Sequence, residues 1–181
     1  METIAVYWEP KIRVYGVSTF AGLSLYTLIF PAGQLAHWGG LIASLAEAGT
    51  GFRLVNQQVQ ATGEIILQLL LQPDERHREI GRIIAGGCEN GRAGICRLQS
   101  PVDLVYMHGP HFQDRYGIAE AAITPLTKAE IPLLAAGCTG TSIYLVVPEG
   151  CAGKAVACLG ATFVLDGGGG RRSGGADDDE K

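Results

Sequence analysis

Residues 102–165 read strand, glycine loop, helix, strand, strand, helix, strand with almost nothing left over, and a less regular run of the same order spans 23–86. The chain is one small α+β unit used twice. Such a repeat constrains the fold more than any single motif, because the natural sites of a tandem unit are its loops and the seam between copies.

The elements follow from side-chain period and turn chemistry. LSLYTLIF (23–30) is an apolar run suited to a central strand. After Pro31, Leu35, Trp38, Leu41, Ile42 and Leu45 recur at three- and four-residue steps, the face of a helix that ends near Ala48-Gly49. FRLVNQQVQ (52–60) and EIILQLLL (64–71) flank Ala61-Thr62-Gly63 and read as a hairpin. A helix opening at Asp74 carries Ile80, Ile83 and Ile84 and stops at Gly86-Gly87, with a strand over AGICRL (93–98).

The second copy has its first strand at VDLVYMHG (102–109), a loop over 110–116, and a helix over 117–128 with Ile118, Ala122, Ile123 and Leu126 inward. Pro125 is expected to kink that helix or shorten its last turn. IPLLAAG and TSIYLVV form the hairpin, 152–159 the second helix, and ATFVL closes the sheet. The order βαββαβ places antiparallel strands in one layer and both helices on its other side, an α+β fold of two ferredoxin-like units. The units are expected at 1–91, which includes the opening segment 3–20 as short strands broken at Glu9-Pro10, and at 92–166. Residues 167–181, GGGGRRSGGADDDEK, have no apolar side chain larger than alanine and are expected to be a disordered tail.

Composition excludes several function classes. At 181 residues each copy is near the lower size for an independent core, so sharing a sheet or forming a homodimer is expected. Apolar residues make up 47%, but no run approaches the roughly 20 residues of a membrane helix. With no secretory leader pattern, the expected setting is the cytoplasm, without a membrane role. Five cysteines without framework spacing fit reduced thiols. A net charge of -4 without a basic cluster argues against nucleic acid. His108, His111 and Asp114 invite a metal reading, but positions around a Gly-Pro turn have no assured convergence, so no metal and no cofactor are expected. No G-x-S-x-G elbow or readable acid pair supports catalysis.

HGPHFQDRYGIA (108–119), PLTKAEIPLL (125–134), SIYLVVPEG (142–150) and KAVACLGATFVL (154–165) follow in register. The unit they build resembles an ACT domain, the ligand-sensing module of amino-acid metabolism, and more closely the second regulatory repeat of aspartokinases. LIASLAEAG (41–49) followed by FRLVNQQV (52–59) resembles the first repeat. The departures are Gly51 and Pro132 where the family has an asparagine, and Leu35-Ala36 and Tyr116-Gly117 where it has a proline-glycine helix start.

The resemblance implies a non-catalytic regulatory module, without a kinase domain, that binds an amino acid or related metabolite at the seam and acts on an enzyme. The alternative is a protein–protein adaptor or structural dimer that has lost its ligand. The expected ligand-binding set is Gly33, Gln34, Leu35 and Gln57 in the first unit and His111, Phe112, Gln113, Asp114, Arg115, Gly117 and Ile118 in the second. The chemistry is that of a zwitterion: helix-start N–H groups and Arg115 for its carboxylate, Asp114 or Gln113 for its ammonium group.

Overall fold

A computed structural model describes residues 11–72, 77–88, 95–110, 112 and 116–165. Glu9-Pro10, the helix start at Asp74 and the tail lie outside them. Strands β1 (Ile12–Val14), β2 (Gly16–Pro31), β3 (Phe52–Val59), β4 (Glu64–Leu71), β5 (Ile95–His108), β6 (Ala135–Cys138), β7 (Ser142–Pro148) and β8 (Phe163–Leu165) alternate with helices α1 (Leu35–Glu47), α2 (His77–Cys88), α3 (Ile118–Lys128) and α4 (Ala152–Leu159). The chain forms two compact units, one over 22–102 and one joining 11–21 to 103–165.

The first module, 22–102, has the strand order β3-β4-β2-β5. β4 pairs antiparallel with both β2 and β3, with Leu28 opposite Leu67 and Gln57 opposite the same Leu67 on the other side. Alternate side chains of β2 (Tyr26, Leu28, Phe30) and β4 (Ile65, Leu67, Leu69, Leu71) meet Trp38, Leu41 and Leu45 of α1 and Ile80 and Ile84 of α2 in one buried cluster. The period-two pattern of the strands thus meets the period-3.6 pattern of the helices. Trp38 is fully buried and stacks on Phe30, with ring centroids 5.3 Å apart and an interplanar angle of 26°.

The second module orders its strands β2-β5-β7-β6. Its core takes Val105 and Met107 from β5, Ile143, Leu145 and Val147 from β7, and Ile118, Ala122, Leu126, Ala155 and Leu159 from the helices.

Several expectations need correction. β8 does not close the sheet: it pairs in parallel with β1, Ile12 opposite Phe163, while β2 neighbours β5. The opening strands therefore belong with the second copy rather than the first. The two strands expected over AGICRL and VDLVYMHG are, in their described residues, one strand, β5, Ile95–His108, which runs through Ser100-Pro101. The hairpin strand expected over IPLLAAG is confined to its last three residues and Cys138, although Leu134 N–H still donates to the Val146 carbonyl at 2.8 Å. Ile123 is 36% exposed instead of inward. Pro125 does not shorten α3, which continues to Lys128.

The repeat is clearest where each first helix stops. After α1, Gly49 N–H donates to Ala46 O at 2.8 Å and Thr50 N–H to Leu45 O at 3.0 Å, with Gly49 at φ 76°. After α3, Glu130 N–H donates to Thr127 O at 3.1 Å and Ile131 N–H to Leu126 O at 2.9 Å, with Glu130 at φ 55°. Both are Schellman closures, and in the second the left-handed position carries a side chain. Ile131 and Leu126 lie in one core, the apolar contact that accompanies this closure.

Asp103, 3% exposed at the unit's edge of β5, caps α4 from across the fold: Oδ2 accepts from Gly150 N–H at 2.8 Å and Ala152 N–H at 3.4 Å. A carboxylate there meets the positive end of the helix. Gly109 is fixed by packing, since a Cβ there would lie 2.8 Å from the Arg13 carbonyl oxygen and 2.8 Å from Phe112 Cε1.

Three stability changes are expected in urea unfolding. Glu130→Gly should stabilise by about 1 kcal/mol by relieving the left-handed strain. Asp103→Ala should destabilise by about 1–2 kcal/mol through loss of the cap. Gly109→Ala should cost about 2–3 kcal/mol, because a backbone oxygen and a packed ring must both give way.

Candidate functional site

In each module the loop after the first strand runs into the first helix, and the two loops are built differently. In the first module β2 ends at Pro31 and a 3-10 turn, Ala32–Gln34, leads into α1. Ala32 N–H donates to the Gly63 carbonyl at 3.2 Å, which ties this loop to the β3–β4 hairpin. Gly33 and Leu35 are exposed and Gln34, the N-cap of α1, is half-buried. The cap makes no side-chain hydrogen bond and the first turn of α1 holds no acidic residue. Leu35 N–H, the first of α1, donates to the Ala32 carbonyl, and α1 brings no carboxylate of its own to its remaining leading N–H groups, a condition that favours an anion.

Gln57 is exposed on β3, the strand at the end of this sheet's order. It lies two residues before the end of β3, so it stands roughly 10 Å along the strand from the hairpin that holds the β2–α1 loop. Asn56 Nδ2 donates to Gln68 Oε1 at 3.2 Å, so this amide is spent within the sheet.

In the second module Gly109 N–H donates to the Thr141 carbonyl at 2.9 Å, where the chain leaves β5. Phe112 and Ile118 are each 4% exposed and are members of the core cluster, so both side chains anchor the loop from beneath. Gly117 caps α3 at φ 80°, a conformation open to glycine, and its carbonyl accepts from Ala121 N–H at 2.9 Å. Unlike α1, α3 has an acid, Glu120, in its first turn. His111, Gln113, Asp114 and Arg115 lie outside the described residues.

A half-open groove of about 160 Å³ runs along α3 beside β6 and β7. Ala119, Ala122 and Ile123 form one wall; Ala136, Gly137 and Cys138 form the other, over a floor of Ile143 and Leu145. Its volume is below the roughly 300 Å³ at which drug-sized sites begin, and its walls are nearly all apolar, so it suits a small aliphatic group. Burial of its sulfur pushes the Cys138 thiol up from its ordinary range. Sequence reasoning missed this groove. The signal lay in the small residues at 135–137 opposite Ala119 and Ala122, which thin the layer between helix and strand.

His108, considered above for metal binding, is engaged in ring packing. Its imidazole stacks on Tyr106 with centroids 6.0 Å apart and an angle of 12°, and tilts against Tyr15 at 5.6 Å. Tyr106 also meets Tyr144 at 5.0 Å and shares a 3.1 Å hydrogen bond with the Ser142 hydroxyl. No group of three potential metal ligands occurs among the described residues. No helix among them is long and apolar enough to cross a membrane.

No protein-family model and no curated protein matches the sequence. Solved structures do match. The ligand-free regulatory subunit of aspartate kinase from Thermus thermophilus is 14% identical with a TM-score of 0.68, over 82% of this chain and 97% of that one. Aspartate kinase from Synechocystis is 16% identical with a TM-score of 0.70, over 92% of this chain and 29% of that one. Aspartokinase III from E. coli, in complex with lysine and aspartate, is 14% identical with a TM-score of 0.56, over 86% of this chain and 34% of that one. At these identities the likeness is one of fold: the chain has the α+β architecture seen in aspartate kinase regulatory subunits, with two ferredoxin-like, ACT-like units.

Proposed function

We propose that this chain is a non-catalytic regulatory module that binds an amino acid or a closely related metabolite and passes its presence to a partner enzyme. The observation that carries the reading is the fold match to regulatory subunits along nearly their whole length, 97% of the Thermus thermophilus chain. The lysine complex of E. coli aspartokinase III supports an amino acid as the class of effector. The uncapped start of α1 supports carboxylate binding, and the small apolar groove beside α3 fits the side chain of an aliphatic amino acid. The ligand-binding set is Gly33, Gln34, Leu35 and Gln57 in one module and His111, Phe112, Gln113, Asp114, Arg115, Gly117 and Ile118 in the other. Phe112 and Ile118 contribute through backbone groups and by holding the loop. The module works in the cytoplasm as a homodimer.

A second reading, a protein–protein adaptor without a small ligand, is favoured by one observation. β3, at the end of its sheet, exposes Val55 at 47% and Val59 at 69%. Apolar side chains on an open strand edge are what a pairing partner would cover.

Thermal unfolding of the purified chain against the twenty proteinogenic amino acids tests both readings. Saturation at a hundred times Kd adds about 2.7 kcal/mol, which is a rise of roughly 5–10 °C in Tm for a chain of this size. A selective rise, lost in Arg115→Ala or Gln57→Ala with the unliganded Tm unchanged, is expected. No rise with any amino acid, from a chain that unfolds cooperatively, would overturn the sensor and favour the adaptor.

A further inference from the structure

The second module carries a row of rings on one face of its sheet. Val105 and Met107 of β5 and Ile143, Leu145 and Val147 of β7 enter the core under α3 and α4. Their neighbours Tyr106, His108 and Tyr144 therefore stand on the opposite face, since successive side chains of a strand alternate. β5 and β7 are adjacent in the sheet, and the rings meet: Tyr144 lies 5.0 Å from Tyr106, Tyr106 lies 6.0 Å from His108, and His108 lies 5.6 Å from Tyr15. Tyr15 is 50% exposed, His108 is exposed, and Tyr106 and Tyr144 are half-buried.

The row is fixed in place. The Tyr106 hydroxyl shares a 3.1 Å hydrogen bond with that of buried Ser142, and Tyr15 N–H donates to the His108 carbonyl at 2.8 Å. Gly16 leaves room for the imidazole, because a Cβ there would lie 3.3 Å from His108 Cε1. An aromatic ring presents a negative face that attracts a cation, and a planar guanidinium adds stacking to that attraction. The sequence brings such groups close. β8 pairs in parallel with β1, Val14 opposite Leu165, so the chain leaves β8 beside the residue that precedes Tyr15. After Leu165 the sequence runs Asp166, four glycines, Arg171 and Arg172. Arg171 is the sixth residue after Leu165, a reach of up to about 20 Å when extended, which exceeds the three ring-to-ring steps taken together.

We propose that this row of rings is a docking surface for guanidinium groups and that Arg171 and Arg172 of the same chain occupy it. The pair brings charge of the sign that the ring faces favour, and the row offers more than one ring to two adjacent arginines. Linkage through a few glycines sets an effective concentration in the millimolar range, so contacts too weak to hold separate molecules together suffice within one chain. Docking covers an aromatic patch that otherwise faces water, and an arginine-bearing partner reaches the rings only by displacing the chain's own pair.

Nuclear magnetic resonance of the isotope-labelled full chain tests this directly, with the double variant Arg171→Gln, Arg172→Gln as the comparison that removes the charge and keeps the length. In the unaltered chain the Cδ protons of Arg171 or Arg172 are expected upfield of free arginine, displaced by the ring currents of the row. The ring resonances of Tyr15, Tyr106 and Tyr144 should move between the chain and the double variant, while those of Tyr26, in the core of the first module, stay in place. Tyr15→Leu, a change at a half-exposed position, should reduce the arginine displacement with the rest of the spectrum retained. The proposal is overturned if both arginines resonate at free values in the unaltered chain, or if the three tyrosine rings are the same in the double variant. It is equally overturned if the displacement fades on dilution, which would make a second copy the source of the arginines.

Discussion

Burial of alternate side chains of each module's first strand against its own helix pair is the interaction on which the structure depends. In the first module Tyr26, Leu28 and Phe30 of β2 lie under α1 and α2; in the second Val105 and Met107 of β5 lie under α3 and α4. Each fully buried large apolar side chain contributes about 1.5–3 kcal/mol, so these strands and their helices supply most of the drive to fold. Their position also fixes the loops: a first strand held centrally, between β4 and β5 or between β2 and β7, must release its chain at the sheet end where the first helix starts. The βαββαβ order then returns the hairpin to the same end, as the bond from Ala32 N–H to the Gly63 carbonyl illustrates.

The elements legible in the sequence are those specified by local physics. The apolar faces of α1 and α3, the 52–71 hairpin and both helix stops depend on period and turn chemistry within a dozen residues. What was not legible depends on partners distant in the chain. ATFVL is equally apolar beside β5 or beside β1, and only the presence of residues 12–14 decides for β1. Two separate strands were expected on either side of Ser100-Pro101, yet β5 continues through it although proline lacks an N–H. Ile123 has the right helical spacing to be inward, but the residues facing it, Ala136 and Gly137, are too small to close over it.

The same division applies to the candidate site. Backbone features were partly readable: the turn containing Gly33 before α1 was placed, whereas Gly117, expected as the first residue of the helix, is its left-handed cap. Side-chain fate was not. Phe112, taken as a ligand contact, is buried against Gly109, and that contact is invisible until the strand and loop are folded together. His108 likewise has a ring partner on its own strand two residues away, Tyr106, as the pleat requires.

The two copies have diverged most where a ligand would be bound. α1 starts without a capping side chain or an acid in its first turn, whereas α3 starts after a left-handed glycine with Glu120 one turn in. A carboxylate at the start of α1 would meet an uncompensated helix dipole, and at the start of α3 one already partly neutralised. On the proposed reading, a carboxylate in the second module would call on a side chain such as Arg115, a cation in the sequence. The two copies thus keep one fold while their helix starts differ, which is how duplication of a module can change local chemistry without a change of architecture.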